Sequence, residues 1–169
     1  TSSADMDCIA QQTGHVTSTT EAGDPSPHTA LGVLAGVRAA VRARLGQESL
    51  AGVRVTIQGL GNVGYALAQL LHAEGAELMV SDLDQGKVRL AEEELDAQPL
   101  ALDAVYEAPC DIFSPCGLGG AINQRSISLL RCAAVAGAAN NQLIDIDMAD
   151  QLDARGILYA PDYVINAGG

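Results

Sequence analysis

The stretch Val53-Arg54-Val55-Thr56-Ile57-Gln58-Gly59-Leu60-Gly61-Asn62-Val63-Gly64 decides the fold of this chain. It is a β-branched apolar run, followed by a Gly-x-Gly-x-x-Gly turn and by the beginning of a helical pattern. A turn of this kind lays a pyrophosphate group on the N-terminus of a helix. The stretch therefore predicts a strand, a phosphate-binding loop and a helix, in the order that dinucleotide-binding domains use.

Each glycine of the turn has its own predicted task. Gly59 allows a tight turn out of the strand, Gly61 lets backbone N–H groups approach a phosphate, and Gly64 lets the helix pack closely on the strand. Asn62 and Val63 lie between them and complete the predicted cofactor-binding loop. The glycines alone are weak evidence, because the chain has 18 of them and a strand–helix junction can need glycine for packing only.

The residues after the turn strengthen the prediction of a dinucleotide site. Apolar residues recur at helical spacing over 65–74, and a short apolar strand over 77–82 ends in Asp82. A carboxylate about 20 residues beyond the glycines binds the ribose hydroxyls of NAD. The alternative is an Asp that caps the next helix, a role that suits Asp84 better. No Lys or Arg directly follows Asp82, so the sequence favours NAD over NADP, whose 2′-phosphate the carboxylate would repel.

Composition bounds the class of protein. The chain has 169 residues, of which 48% are hydrophobic, and this is enough for one domain with a substantial core. The formal net charge of −12 argues against binding to nucleic acid or to an anionic membrane, and is typical of a well-solvated surface. There is no apolar run of about 18 residues and no signal-peptide pattern, so the sequence favours a cytoplasmic location.

The cysteine and histidine pattern predicts neither a metal site nor a disulfide framework. Cys8, Cys110, Cys116 and Cys132 include no Cys-x-x-Cys pair, and the three histidines do not complete a zinc spacing. We therefore expect buried free thiols in a reducing compartment.

Predicted helices and strands alternate along the chain. Residues 13–27 are rich in Thr, Ser, Gly and Pro and are predicted to be a loop, with Gly23–Pro27 outside any regular structure. The predicted helices cover 3–12, 28–45, 65–74, 84–95, 123–130 and 145–154. The predicted strands cover 53–58, 77–82, 99–102, 110–115, 133–136 and 156–159.

The alternation predicts an α/β fold of the Rossmann type, a doubly wound, mostly parallel sheet with helices on both faces. Ligands bind at the carboxyl ends of the strands in such sheets. We therefore expect one crevice, lined by the turns after Ile57, Val80, Phe113, Ala136 and Ile165.

Six segments resemble one enzyme family and together span nearly the whole chain. They are Ala4–Asp7, Pro25–Thr29, Gln58–Gly64, Cys110–Cys116, Ala136–Leu143 and Gly156–Gly169. In them the chain resembles the amino-acid dehydrogenases that act on leucine, phenylalanine, valine and glutamate, and the leucine enzymes most closely. The resemblance implies the cofactor domain of an NAD-dependent enzyme that deaminates an L-amino acid, such as leucine, reversibly to its 2-oxo acid.

The resemblance also implies roles around the glycine turn. Asp82 would hold the adenosine ribose, and Thr29 would lie beside the nicotinamide. Cys116, Gly117 and Leu118 would pass close to the cofactor. An alternative stays open for Thr29, whose hydroxyl can instead satisfy the first turn of its own helix.

Two asparagines receive implied roles on the substrate side. Asn140 and Asn166 would hydrogen-bond the nicotinamide or the substrate. The alternative is that Asn140 and Asn141 are turn residues that tolerate a left-handed backbone. With the resemblance we favour function for Asn140 and Asn166, and the role of Asn141 stays open.

The family's chemistry implies catalytic groups that this chain lacks. The reaction uses lysines to bind the substrate carboxylate and to activate water, and an aspartate to transfer a proton. Lys87 is the single lysine here, on a predicted helix at the adenine side. We therefore expect residues 1–27 to be a helix and loop that connect to a missing N-terminal substrate domain, and residues 28–169 to be the NAD-binding domain.

These expectations assign no catalytic residue to this chain. Both ends are expected to be cut, so the chain alone would bind NAD(H) without turning over amino acids. The parent protein is expected to be a homo-oligomer. The alternative function is a stand-alone module that binds or senses NAD without catalysis.

Overall fold

A computed structural model describes residues 3–16 and 23–167 of the chain. The strands in this part are β1 (Arg54–Gln58), β2 (Glu77–Ser81), β3 (Gln98–Pro99), β4 (Ile112–Pro115), β5 (Ala134–Val135) and β6 (Leu158–Tyr159). They form one parallel sheet in the order β3-β2-β1-β4-β5-β6. The chain winds outward from β1 to β3 and then crosses back to β4, so the predicted Rossmann-type sheet is confirmed.

Helices connect these strands. Those formed by the described residues are α1 (Ser3–Ala10), α2 (Ser26–Leu45), α3 (Asn62–Ala73), α4 (Gln85–Leu95), α5 (Gln124–Leu129), α6 (Asp147–Ala154) and α7 (Asp162–Ile165). Each predicted helix and strand has an observed counterpart, usually shorter than predicted, but β3 overlaps its predicted range of 99–102 only at Pro99, and α7 was not predicted.

The start of α2 corrects one prediction. Ser26 and Pro27 were expected to lie outside regular structure, yet they form the first turn of α2. Proline suits this position because the missing N–H is not needed in the first turn of a helix. The carboxylate of Asp24 accepts hydrogen bonds from the backbone N and the Oγ of Ser26, at 2.9 and 2.6 Å, and holds the turn in place. The boundary expected at residue 28 therefore falls inside α2.

Side chains alternate between two faces of the sheet, and a separate core covers each face. Ile112 and Ala134 belong to the core built with α2, α3 and α4. Phe113 and Val135, one residue further along the same strands, belong to the core built with α5 and α6. The period of two along a strand thus produces the predicted layers of helices on both faces.

The four cysteines are free thiols in different environments. Cys110 is buried, Cys116 and Cys132 are partly buried, and Cys8 is exposed on α1. The expectation of buried thiols is wrong for Cys8, because no described residue of α1 belongs to either core.

In the part of the chain that the structure describes, no helix combines the length and apolarity needed to cross a bilayer. The same residues contain no cluster of three or more His, Cys, Asp or Glu side chains arranged to hold a metal ion.

Candidate functional site

A groove of about 400 Å³ opens where β1, β2 and β4 end. Its walls come from the loops that follow these strands and from the segment around Leu102 and Tyr106. The lining includes Gln58, Gly59, Ser81, Asp82, Leu83, Leu102, Tyr106, Gly117 and Leu118. The groove lies at the carboxyl ends of the strands, beside the point between β1 and β4 where the strand order reverses. This is the usual ligand position in open α/β folds.

In the glycine turn between β1 and α3, there is room for a side chain at Gly61 but not at Gly59 or Gly64. Gly59 has a φ of +98°, in the left-handed region, and a Cβ there would lie 2.7 Å from the backbone N of Gly117. A Cβ on Gly64 would collide with the carbonyl oxygen of Gly59. A Cβ on Gly61, by contrast, would meet nothing within 4 Å.

The first turn of α3 is open toward solvent. Gly61 is its N-cap residue and supplies no side-chain cap. The first N–H groups of an α-helix have no partner within the helix, and together with the helix dipole they attract an anion. The free space before Gly61 and these donors, on Asn62 and Val63 among others, fit a phosphate group that lies against the backbone.

Asp82 joins the end of β2 to the glycine turn. Its Oδ2 accepts a hydrogen bond from the backbone N of Leu60, and its Oδ1 accepts one from the backbone N of Asp84 at 2.8 Å. The capping role belongs to Asp84, whose Oδ1 accepts from the backbone N of Gly86 at 2.9 Å at the start of α4. A carboxylate can accept about four hydrogen bonds, so Asp82 keeps acceptors for a ligand.

The loop after β4 packs directly on the glycine turn. The backbone N of Cys116 donates to the carbonyl oxygen of Gln58 at 2.7 Å, and Gly117 lies against Gly59. Burial raises the pKa of the Cys116 thiol, so this side chain is an uncharged packing group rather than a thiolate. Leu118 is 89% exposed at the mouth of the groove.

Two further loops meet beside Asn140. The Nδ2 of Asn166, which follows α7, donates to the Oδ1 of Asn140 at 2.7 Å and to the carbonyl oxygen of Ala138 at 3.4 Å. Asn141 has a φ of +51°, so it takes the left-handed backbone of the turn alternative. The structure therefore brings together the two asparagines for which a functional role is predicted.

Thr29 lies in the first turn of α2. Its backbone N and its Oγ1 donate to the carbonyl oxygen of Pro25, at 3.0 and 3.3 Å. These bonds are those of the alternative interpretation, in which the hydroxyl satisfies its own helix. The roles of Thr29 and of the other site residues toward a cofactor stay predictions.

Gln142 is a site residue that sequence reasoning missed. Its side chain is fully buried, and Nε2 donates to the carbonyl oxygens of Gly137 and Ala139 at 2.8 and 3.0 Å. Its backbone N donates to Oδ2 of Asp162 at 3.1 Å, which ties the start of α7 to the same loop. The side chain of Gln142 thus holds the backbone that leads to Asn140. The only sequence signal was its place directly after the Asn-Asn pair.

The walls of the groove contain three more residues that were not predicted. Leu83 is 81% exposed and Leu102 is 51% exposed, so both present apolar surface to the groove. The hydroxyl of Tyr106 accepts a hydrogen bond from Nε2 of Gln58 at 2.7 Å. The position of Leu83, next to the acid at the end of a strand, is the one signal that the sequence offered.

A second cavity, of about 480 Å³, lies near the amino ends of β1 and β2 and is lined by Arg54, Glu77 and Pro109 among others. It contains neither a glycine turn nor the start of a helix that follows a strand. We therefore identify the groove at the carboxyl ends as the candidate site because of its glycine turn and helix N-terminus, although its volume is the smaller of the two.

Comparisons with known proteins identify relatives over the whole of this region. A family model described as Glutamate/Leucine/Phenylalanine/Valine dehydrogenase matches residues 24–101 and 80–169. Leucine dehydrogenase from Bacillus subtilis (strain 168) is 47% identical over 169 residues, which cover 98% of this chain and 46% of the relative.

Solved structures agree with the sequence matches. L-tryptophan dehydrogenase from Nostoc punctiforme matches with a TM-score of 0.86 and 41% identity, over 98% of this chain and 48% of that one. The hetero-hexameric glutamate dehydrogenase from Thermus thermophilus, in its Leu-bound form, matches with a TM-score of 0.73 and 26% identity, over 97% of this chain and 44% of that one. The chain thus spans slightly less than half the length of these relatives.

Proposed function

This chain belongs to the glutamate/leucine/phenylalanine/valine dehydrogenase family, and we propose that it forms the NAD-binding part of an L-amino-acid dehydrogenase. The family resemblance expected from the six sequence segments, with leucine dehydrogenase among the near relatives, is confirmed. The proposed reaction is the reversible oxidative deamination of an L-amino acid such as leucine. The observation that carries the proposal is the uncapped, open first turn of α3 beside Asp82.

The pyrophosphate of the cofactor is proposed to lie before Gly61. The absence of a Cβ leaves that space free, and the backbone N–H groups of the first turn supply hydrogen-bond donors without a side chain. Leu83 and Leu102 would lie against the apolar faces of the adenine. The partial positive charge of the helix N-terminus would attract the phosphates in this arrangement.

Asp82 is proposed to bind the adenosine ribose. Its two backbone hydrogen bonds fix the carboxylate in place, so little side-chain entropy is lost when ribose hydroxyls donate to it. A 2′-phosphate would place a second negative charge next to this carboxylate. Leu83 and Asp84 follow directly and offer no positive charge to offset it. These properties support NAD rather than NADP.

Asn140 and Asn166 are proposed to bind the nicotinamide carboxamide or the substrate. Their mutual hydrogen bond fixes both side chains, and Gln142 holds the loop beneath them. When bound, the cofactor supplies the hydride acceptor for the reaction. The task of the chain's own residues is to hold that acceptor in one orientation and to exclude water from the groove.

The catalytic lysines and aspartate are proposed to come from a substrate domain outside these residues. Lys87, the single lysine, is exposed on α4, where it faces solvent rather than the groove. A lysine acts as a base near neutral pH only where its site lowers its pKa. We therefore propose that the chain alone has no turnover. We also propose that its parent is a cytoplasmic homo-oligomer, and that the NAD-binding domain, expected over 28–169, begins with α2 at Ser26.

A chimera tests the proposed enzyme class. This chain replaces the segment of Bacillus subtilis leucine dehydrogenase that it matches, and NADH formation is followed with leucine, valine, phenylalanine and tryptophan. We expect turnover by the chimera with at least one of these amino acids and none by the chain alone. A chimera that binds NADH but oxidises none of them would refute the proposed reaction. Turnover by the chain alone would refute the external location of the catalytic groups.

A further inference from the structure

Cys110 and Cys132 lie far from the glycine turn, just before the amino ends of two neighbouring strands. In the parallel pair of β4 and β5, Ile112 is the partner of Ala134. Each cysteine precedes its strand's partner residue by two positions. The backbone N of Cys110 donates to the carbonyl oxygen of Arg131 at 3.2 Å and that of Ala133 to the carbonyl oxygen of Asp111 at 2.9 Å, so the two segments lie side by side before the strands begin.

The two side chains lie on the same face of the sheet, because both cysteines belong to the core beneath α5 and α6, Cys110 as a buried member and Cys132 as a partly buried one. Neighbouring strands lie about 4.8 Å apart, and disulfides join Cα atoms about 4.4–6.8 Å apart. The spacing of neighbouring strands is therefore within the range that a disulfide needs.

The two thiols are close enough to influence each other's protonation. Sharing of one proton between them lowers the pKa of Cys110 and raises the pKa of Cys132. Thr56 lies next to this pair, and its buried Oγ1 has no hydrogen-bond partner among the described residues. The pair thus gives up its first proton more readily than a lone buried thiol would.

We propose that Cys110 and Cys132 form a reversible dithiol–disulfide site, oxidised by a small-molecule disulfide. The thiolate of the pair attacks one sulfur of the small disulfide, forms a mixed disulfide and releases one small thiolate. The second cysteine then attacks the protein sulfur of the mixed disulfide, closes the bond between Cys110 and Cys132 and releases the other small thiolate. The protein loses two electrons and two protons, and the small molecule gains them as two thiols.

The bond would join β4 to β5 at the ends opposite the groove. The loops with Cys116 and Asn140 follow the other ends of these strands. Cross-linking should therefore raise the melting temperature of the chain and leave the groove unchanged. This site does not depend on the proposed function, because its formation is measured without cofactor or substrate.

Thiol counting with peptide mapping tests the site. The chain is incubated with oxidised glutathione, and free thiols are counted before and after. We expect a mapped link between Cys110 and Cys132, a glutathione adduct on the exposed Cys8 that lowers the count further, and full recovery with a reducing agent. A count that stays at four, or a protein disulfide that joins Cys8 or Cys116 to another cysteine of the chain, would overturn the proposal.

Two variants sharpen this test. Cys8→Ser keeps the pair, so its count should fall from three to one. Cys132→Ser removes the pair, so no intramolecular link should form, and circular dichroism checks that it is folded; Cys132→Ala replaces it if it is not. An intramolecular disulfide in a folded variant without Cys132 would contradict the assignment.

Discussion

Gly61 and Asp82 shape the site through opposite properties. Gly61 matters because it has no side chain, since a side chain there would project into the open space before α3. Asp82 contributes a charge that two backbone N–H groups hold in place. The task of each residue could be predicted from the sequence, because the spacing of the glycines and of the following acid reflects backbone geometry. The two backbone hydrogen bonds that Asp82 accepts could not be predicted, because they depend on how the loop after β2 packs against the glycine turn.

Replacing Gly61 by Val should block the cofactor without harming the fold. Its φ of −65° is accessible to any residue, and a Cβ would touch no protein atom. We expect NADH affinity to fall at least about 100-fold, or about 2.7 kcal/mol, with an unchanged melting temperature. Gly14→Val is the matched control, because a Cβ on Gly14 also meets nothing within 4 Å. Equal NADH affinity in both variants would show that the glycine turn serves packing only.

Asp82→Asn should remove the charge and one of the two hydrogen bonds that Asp82 accepts. The amide oxygen can still accept from the backbone N of Leu60, but the amide NH2 cannot accept from the backbone N of Asp84. We expect NADH affinity to fall about tenfold, and the preference for NADH over NADPH to shrink. Asp84→Asn serves as the control, because Asn also caps helices and the same charge is lost two residues away. Calorimetric titration of both variants measures this, and equal effects would withdraw the ribose assignment.

At the scale of elements, prediction succeeded where periodicity was strong and failed where tertiary contacts decide. β1 and α3 were predictable from an apolar strand, three glycines and an amphipathic helix. The start of α2 was not, because proline signals both a loop and the first turn of a helix. The loop from Gly137 to Gln142 takes its shape from one buried amide and from Asp162, 20 residues further along the chain.

Gln142→Leu should loosen the loop that carries Asn140. It removes both Nε2 hydrogen bonds and leaves the carbonyl oxygens of Gly137 and Ala139 without these donors. We expect a loss of about 2–4 kcal/mol of unfolding free energy, together with weaker NADH binding. Gln69→Leu, at an exposed position of α3, is the control and should change stability little. Urea unfolding monitored by circular dichroism measures the unfolding free energy of both variants. Equal stability of the two variants would mean that Gln142 does not hold the loop.

The ion pair between Arg54 and Asp111 links the starts of β1 and β4. The guanidinium of Arg54 donates to Oδ1 of Asp111 at 2.9 Å, and these contacts lower the pKa of Asp111 below its ordinary 3.8. A lowered pKa in the folded state stabilises the fold above pH 3.8, and this contribution is lost as the pH falls through the folded-state value.

Asp111→Asn should therefore cost stability only where the carboxylate is charged. We expect a loss of about 1 kcal/mol at pH 7, limited by solvent screening of the half-exposed Arg54, and a smaller loss as the pH falls below 3.8. Unfolding free energies of the natural chain and the variant across this range provide the measurement. A difference that stays constant with pH would show that the charge of Asp111 contributes nothing.

At the scale of the whole molecule, the sheet brings four of the five predicted turns to the carboxyl ends of its strands, whereas the turn after Ile165 follows α7. The glycine turn, Asp82 and the loops with Cys116 and Asn140 come from segments up to about 80 residues apart, yet all follow the carboxyl ends of parallel strands. This part of the site was predictable because strand direction fixes where loops go. The apolar walls at Leu102 and Tyr106 were not, because a segment without helix or strand carries no periodic signal.

The central claim is that this chain binds NAD at the open N-terminus of α3, and calorimetric titration of the chain with NADH tests it most directly. The account predicts saturable binding of one NADH per chain, tighter than that of NADPH, and its loss in Gly61→Val. No binding of NADH at millimolar concentration, or equal binding by Gly61→Val and the natural chain, would contradict it.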